Sequence, residues 1–233
     1  MRLNKYMAEC GMCSRREADR LIEEGRVFVN GMAATLGTQV TETDSVTVNG
    51  KELGSKNEKK VYIYYKPVGV TCTEKDKHAK VTVTDSVKLP VRVTYAGRLD
   101  KDSEGLLLLT NDGELIDKLM RGANRHEKEY VVKVQKEITE EFIKKMGQGV
   151  YLKELDTTTR PCEIHQTGKY TFQIILTQGL NRQIRRMCQT FGYEVKQLKR
   201  IRINDLTIGT LKPGQYRELS GEEQKALYSG VGL

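Results

Sequence analysis

One stretch constrains the fold more than any other: Ala96-Gly97-Arg98-Leu99-Asp100-Lys101-Asp102-Ser103-Glu104-Gly105. Before it, Val91-Arg92-Val93-Thr94-Tyr95 alternates apolar with polar, which predicts a half-buried strand. After it, Leu106-Leu107-Leu108-Leu109-Thr110 is an apolar run closed by Asn111-Asp112-Gly113, which predicts a buried strand. A turn dense in charge and glycine therefore sits between two strands of a core. A carboxylate at the rim of a core has its solvation set by the protein and can do chemistry. A solvated loop is the plainer reading of the same residues.

The chain has 233 residues, enough for one or two domains with a sizeable core. Its formal net charge of +8 points to a polyanionic partner, because lysine and arginine neutralise phosphates and release counterions. No apolar run approaches the ~20 residues that span a bilayer, so no membrane partner is expected. Met1-Arg2-Leu3-Asn4-Lys5-Tyr6 is polar and amphipathic rather than a secretory leader, and a cytoplasmic protein is expected. The five cysteines, Cys10, Cys13, Cys72, Cys162 and Cys188, are an odd number, which fits a reducing compartment better than a disulfide framework. Cys10 and Cys13 have metal-ligand spacing, but no second pair follows and His78, His126 and His165 are scattered; buried thiols are expected, not a metal.

Leu3, Tyr6, Met7 and Cys10 fall at helical spacing and predict a short helix from Arg2, ended by Gly11. Ser14-Arg15-Arg16-Glu17 reads as a capping box in which the serine accepts from the Glu17 amide and the glutamate reaches back. The helix that follows turns Ala18, Leu21 and Ile22 inward and stops at Gly25, leaving Arg15, Arg16 and Arg20 outside with Arg2, Lys5 and Arg26. Asn30-Gly31 and Asn49-Gly50 are hairpin turns. Residues 1–55 form a small domain, residues 56–60 are a polar linker without apolar periodicity, and residues 61–233 form the second domain. In that second domain strands are predicted at 61–65, 130–134 and 170–176, and helices at 115–120 and after Thr139. The 221–233 tail reads as a small helix or a frayed end. Runs of strands with few helices give an α+β class with a largely antiparallel sheet.

From Asn181 to Phe191 a helix carries two stripes at the same spacing. Ile184, Met187, Cys188 and Phe191 make an apolar one; Arg182, Arg185, Arg186 and Gln189 make a polar one. Arginine rather than lysine at three of those positions favours planar recognition of phosphate or carboxylate.

Four segments in order then carry a specific resemblance: Lys66-Pro67-Val68-Gly69-Val70, Gly97-Arg98-Leu99-Asp100 with Ser103-Glu104-Gly105, Glu127-Lys128-Glu129-Tyr130, and Gly179-Leu180-Asn181-Arg182-Gln183-Ile184-Arg185-Arg186-Met187. Together they resemble the RsuA-type pseudouridine synthases, and the last, with Cys188 and Phe191-Gly192-Tyr193-Glu194-Val195, is most similar to the branch acting on large-subunit ribosomal RNA. The N-terminal residues resemble the αL RNA-binding module. The resemblance implies a small αL domain followed by a pseudouridine synthase domain: a mixed, largely antiparallel sheet with flanking helices and an RNA cleft across it. It implies neither cofactor nor metal, and a monomer acting on ribosomal RNA or an assembly intermediate, with a transfer RNA as a further substrate.

The implied reaction detaches uracil from its sugar, turns it over and rejoins it through carbon five. By resemblance Asp100 is the carboxylate beside the sugar, attacking the anomeric carbon or taking the neighbouring proton. Arg185 is the matching family residue for an ion pair with a buried Asp100, and Tyr130 should stack on the extruded uracil. Arg98 is expected to fill the gap in the RNA or hold a flanking phosphate, Arg182 and Arg186 to contact phosphates, and Leu99 and Leu198 to wall the uracil pocket. Two other readings compete. A non-enzymatic RNA-binding assembly factor would need the basic module but no carboxylate in a basic cleft. A magnesium-dependent phosphatase built on Asp100-Lys101-Asp102 would need further acidic ligands that the sequence does not supply.

Overall fold

The computed structural model describes residues 1–73, 81–121 and 125–233; His78 lies outside the described residues. The chain divides into two compact units, Met1–Lys60 with Leu89–Val93, and Val61–Lys88 with Thr94–Leu233.

The first unit holds α1 (Leu3–Glu9), α2 (Arg15–Glu23), β1 (Val27–Val29), β2 (Met32–Ala33), β3 (Val46–Val48) and β4 (Lys51–Glu52). The strands form a sheet in the order β2-β1-β3-β4. Leu3, Tyr6 and Met7 of α1 and Ala18, Leu21 and Ile22 of α2 close a core over Val27, Val46 and Val48. Asn30 and Gly31 (φ 50° and 80°) and Asn49 and Gly50 (φ 52° and 76°) take the left-handed pairs that two-residue hairpins of this hand require. The Ser14 hydroxyl accepts from the Glu17 amide at 3.2 Å, as expected. The expected return bond is replaced: the Glu17 carboxylate pairs with Arg20, one turn on, where a charged donor outcompetes a backbone amide. The polar stretch at 56–60 is not a free linker throughout. Lys56 lies 3.7 Å from Glu9 and 3.0 Å from Glu42, and the Asn57 amide donates to the Glu9 carbonyl at 3.1 Å.

The second unit runs β5 (Val61–Lys66), α3 (Val83–Ser86), β6 (Thr94–Ala96), β7 (Glu104–Thr110), α4 (Gly113–Met120), β8 (Lys128–Val134) and α5 (Glu140–Gly147). It continues with β9 (Tyr151–Leu152), β10 (Thr157–Thr158), β11 (Glu163–Gly168), β12 (Thr171–Leu176), α6 (Gln183–Thr190), β13 (Val195–Ile203), β14 (Leu206–Thr207), β15 (Tyr216–Glu218) and α7 (Gly221–Gly230). The main sheet has the order β11-β12-β8-β13-β7-β5-β15, with β6 on β7 and β14 on β13. Among the described strands of this sheet only β13 and β7 pair in parallel, so the sheet is mixed and largely antiparallel. The strand expected at 91–95 is shorter and later, at Thr94–Ala96. Val93 is buried without joining the ladder, so the alternation there records burial and not pairing.

Two cores flank the centre of this sheet. One gathers Val132, Phe172 and Ile174 with Phe142 of α5 and Ile184 and Met187 of α6. The other gathers Val61, Ile63, Leu106 and Leu108 with Leu115 and Leu119 of α4 and Leu227 of α7. Ile184, Met187 and Cys188 of the α6 stripe are buried as read, but the helix is shorter than 181–191 and Phe191, past its end, is only partly buried. The C-terminal segment is not frayed: Ser220 and Glu223 make a full capping box on α7.

Candidate active site

Asp100 stands on the turn between β6 and β7, and that turn is held from the β5 side. Lys66, at the end of β5, is fully buried and donates to the Ser103 carbonyl at 2.8 Å and the Pro67 carbonyl at 2.9 Å. The Gly69 amide donates to the Lys101 carbonyl at 2.8 Å. The Leu99 amide points at the Cys72 sulfur at 3.5 Å. Burial lowers the Lys66 ammonium from its usual range, partly offset by Cys72, Asp100, Asp102 and Glu104. The segment from Lys66 to Cys72 is thus the clamp of the turn. Gly97 (φ 82°) lets the chain enter the turn in the left-handed region.

The turn opens on a cleft of about 290 Å³. Arg98, Leu99, Asp100, Tyr130, Arg182 and Leu198 all line it, so the structure brings the Asp100 turn together with three residues far from it in sequence. Tyr130 of β8 sits opposite Arg200 of β13, and Leu198 opposite Val132. Side chains two apart on a strand share a face, which is why β8 and β13 present Tyr130 and Leu198 to one side. Leu99 and Leu198 are buried walls and Arg98 is an exposed rim residue.

The charge arrangement differs from expectation in two ways. The Asp100 side chain is 33% exposed, so it is half-open to solvent and not buried. Its nearest guanidinium is Arg182, at 3.5 Å, and not Arg185. Arg182 also forks onto Asp102, at 2.8 and 3.2 Å. Arg185 donates to the Asp102 carbonyl at 2.8 Å and the Val195 carbonyl at 3.1 Å, and lies 3.3 Å from the Asp102 carboxylate. The reason lies in the start of α6. Arg182 takes a left-handed conformation (φ 51°, ψ 34°) just before the helix, which aims its side chain at the turn. Arg185, a turn further on, reaches the backbone beside Asp102 instead. Burial would raise the Asp102 carboxyl, but the Arg182 hydrogen bonds and the charges of Arg185 and Arg182 outweigh it and hold it below the usual range.

Arg186 is engaged as well, with the Asn181 carbonyl at 3.0 Å and with Glu154. In the first unit Lys5, Arg20 and Arg26 are paired with Glu9, Glu17 and Glu24, whereas Arg2, Arg15 and Arg16 are exposed. The Cys10 and Cys13 thiols are both pushed up by burial.

Sequence reasoning named the segments that hold Lys66, Gly105 and Lys128 but gave none of the three a role, and it gave Arg200 none. The readable signal was the i, i+2 spacing of Lys128 and Tyr130, which puts both on one strand face. Nothing local marks Arg200, one of four basic residues on β13.

A mixed sheet carrying a carboxylate turn, a tyrosine and an arginine helix around one cleft defines a class, and the comparisons agree with it. Residues 60–190 match the RNA pseudouridylate synthase family, and residues 1–46 match the S4 domain. The chain is 48% identical over 225 residues to the dual-specificity RNA pseudouridine synthase RluF of Escherichia coli strain K12, covering 96% of this chain and 77% of that protein. It is 40% identical over 232 residues to the ribosomal large subunit pseudouridine synthase B of Bacillus subtilis strain 168, covering 97% and 95% of the two. A crystal structure of a pseudouridylate synthase superposes with a TM-score of 0.71 at 27% identity, over 97% of this chain and 99% of that one. The chain belongs to the RNA pseudouridylate synthase family, with an S4 domain at its N-terminus.

Proposed function

We propose that this enzyme isomerises a specific uridine of ribosomal RNA, in the large subunit or its assembly intermediate, with Asp100 as the carboxylate that acts on the sugar. The supporting observation is the placement of Asp100 in one cleft with Tyr130 and Arg182, on a turn clamped by Lys66 and Gly69. The names of its relatives in Escherichia coli and Bacillus subtilis support an RNA substrate and, for the latter, the large subunit.

The target uridine leaves its stack and enters the cleft, where Tyr130 stacks on the base and Leu99 and Leu198 wall it. Asp100 reaches the sugar edge. The bond from N1 to the anomeric carbon breaks with its electron pair on N1, while Asp100 either forms an ester at the anomeric carbon or removes the adjacent proton. Uracil turns over and carbon five bonds to the anomeric carbon, displacing the Asp100 carboxylate from its ester on the first route or with Asp100 returning its proton to the neighbouring sugar carbon on the second; the proton on carbon five is then lost. Arg182 places a positive charge on Asp100 throughout. Arg98 holds a flanking phosphate or fills the gap left in the RNA. Arg2, Arg15 and Arg16 of the S4 domain add phosphate contacts. The protein acts as a monomer in the cytoplasm; among the described residues no helix is long and apolar enough to cross a membrane.

The test is Asp100→Asn, which is nearly isosteric but cannot act as nucleophile or base. Tritium release from carbon-five-labelled uridine in ribosomal RNA should fall by at least about 10²-fold. RNA affinity should stay within about threefold, far less than a lost phosphate contact costs across a salt titration. Turnover near that of the unmodified enzyme would remove Asp100 from the mechanism.

A further inference from the structure

Two cations lie on the floor of the cleft, and the mechanism so far does not use them. Lys128 and Tyr130 are two apart on β8 and so share a face. Arg200 of β13 sits directly opposite Tyr130 in the ladder. All three line the cleft that Asp100 opens on. Arg200 is 2% exposed. Its Nε donates to the Leu106 carbonyl at 2.7 Å, while its Nη2 is buried and has no hydrogen-bond acceptor among the described residues. The Lys128 ammonium has a long contact to the His126 carbonyl at 3.3 Å. Neither cation has an ion-pair partner among the described residues. Burial and the Arg200 charge pull Lys128 down to about 8.

Leaving a half-buried ammonium beside a buried guanidinium without a counter-charge is costly, and such an arrangement persists where a ligand brings the negative charge. The ligand of this face is the base that Tyr130 stacks on, and the negative charge appears on it during the reaction. When the N1–sugar bond breaks, N1 keeps the pair and the resulting uracil anion spreads it over its two carbonyl oxygens.

We propose that Lys128 and Arg200 stabilise the detached uracil: the ammonium and the free Nη2 donate to its carbonyl oxygens while it turns over. No bond to either residue forms and Lys128 keeps its proton. The charge is consumed when carbon five rejoins the sugar and releases its proton. Donors fixed where charge develops contribute most in a cleft that excludes water. They also hold the anion during the interval when no covalent bond retains it. This inference rests on the isomerase reading above.

The experiment compares Lys128→Gln and Lys128→Met with the unmodified enzyme in single turnover at saturating RNA. Two transcripts of large-subunit ribosomal RNA serve as substrates, one with uridine and one with 5-fluorouridine throughout. Fluorine withdraws electrons and stabilises the departing anion by itself. Loss of the uridine reaction should be about 10²-fold, the scale of one preorganised donor, with RNA affinity little changed. Loss on the fluorinated transcript, read as disappearance of 5-fluorouridine by nucleoside mass analysis, should be about tenfold smaller, because less stabilisation is asked of the enzyme. Lys128→Arg, which keeps the charge, should restore most of the rate. Equal losses on both transcripts would overturn the proposal, as would a defect that more RNA removes, which would make Lys128 a phosphate ligand. If Lys128→Gln melts early, Lys128→Met keeps the packing of the stem and decides. An inactive unmodified enzyme would instead sink the isomerase reading, so the two failures are distinct.

Discussion

Gly105 and Arg200 touch backbone to backbone: a Cβ on Gly105, whose φ is +109°, would lie 2.2 Å from the Arg200 carbonyl oxygen and 2.7 Å from its nitrogen. These two residues are partners in the parallel pairing of β7 and β13. The contact therefore joins the strand that leaves the Asp100 turn to the strand that carries Leu198 and Arg200.

Gly105→Ala should break that junction. The φ is unfavourable for any other residue and the neighbour is backbone, which cannot move aside. Strain and overpacking together should cost about 3 kcal/mol or more. Urea unfolding should show it as a lower midpoint, and any folded fraction should lose single-turnover activity. A midpoint unchanged from the unmodified protein would mean that β7 and β13 tolerate a wider separation.

Arg182 and Arg185 should separate by role. Arg182 supplies the charge 3.5 Å from Asp100, and Arg185 ties down the backbone at Asp102 and Val195. Arg182→Ala should lower the single-turnover rate at saturating RNA by about 10²-fold, and Arg182→Lys should recover part of it without the fork on Asp102. Arg185→Ala should lower the rate and also the melting temperature, because it leaves two acceptors near the turn unsatisfied. An Arg182→Ala defect that vanishes at saturating RNA would return that residue to phosphate binding alone.

Lys66→Met tests the clamp. The thioether fills the space but donates nothing, so the carbonyls of Ser103 and Pro67 lose their partner. Unpaired buried carbonyls cost about 1–3 kcal/mol each, and relief from burying an ammonium offsets part of that. A net destabilisation of about 1–3 kcal/mol is expected, together with slower chemistry from a looser Asp100. Amide hydrogen exchange at Gly69 and Ser103 would report the loosening directly; unchanged exchange would show that the turn holds itself.

Acid should loosen α7 by a defined route. Arg217 forks onto Glu223 at 2.7 Å for both bonds, and Glu223 also accepts from the Ser220 amide at 2.9 Å. Arg217 foremost, then the Ser220 amide, hold the Glu223 carboxyl down at about 2. A depressed carboxyl stabilises the fold above its unfolded value, near ~4.3, and loses that contribution as pH falls toward the folded value. Glu223→Gln should therefore lower the melting temperature by about 2–4 °C at pH 7 and by much less near pH 2. Equal effects at both pH values would assign the loss to packing.

Much of the site was readable because its parts are local patterns. A charged turn between apolar runs marks Asp100; an arginine stripe offset from Ile184, Met187 and Cys188 marks α6; hairpin and capping residues mark most element ends. The residual errors have one physical character. Alternation at Val91–Tyr95 reports burial and is blind to whether a ladder partner exists. The capping glutamate at Glu17 met a charged neighbour that local rules do not weigh. Asp100 was assigned Arg185 by family likeness, and the left-handed backbone at Arg182 redirected the fork.

The sequence by itself determined the family and many of the helices and strands, and it marked Asp100 as the candidate carboxylate, since periodicity, turn chemistry and motif order are properties of neighbours along the chain; that Leu89–Val93 joins the first unit was not legible in it. Tertiary structure decided which cation faces which acid, that Lys66 clamps the turn from behind, and that Lys128 and Arg200 share the cleft floor. Those relations depend on strand order and register. β13 lies between β8 and β7, and the pairing of its Arg200 with Tyr130 and Gly105 joins residues 70 and 95 positions apart that no local pattern can align.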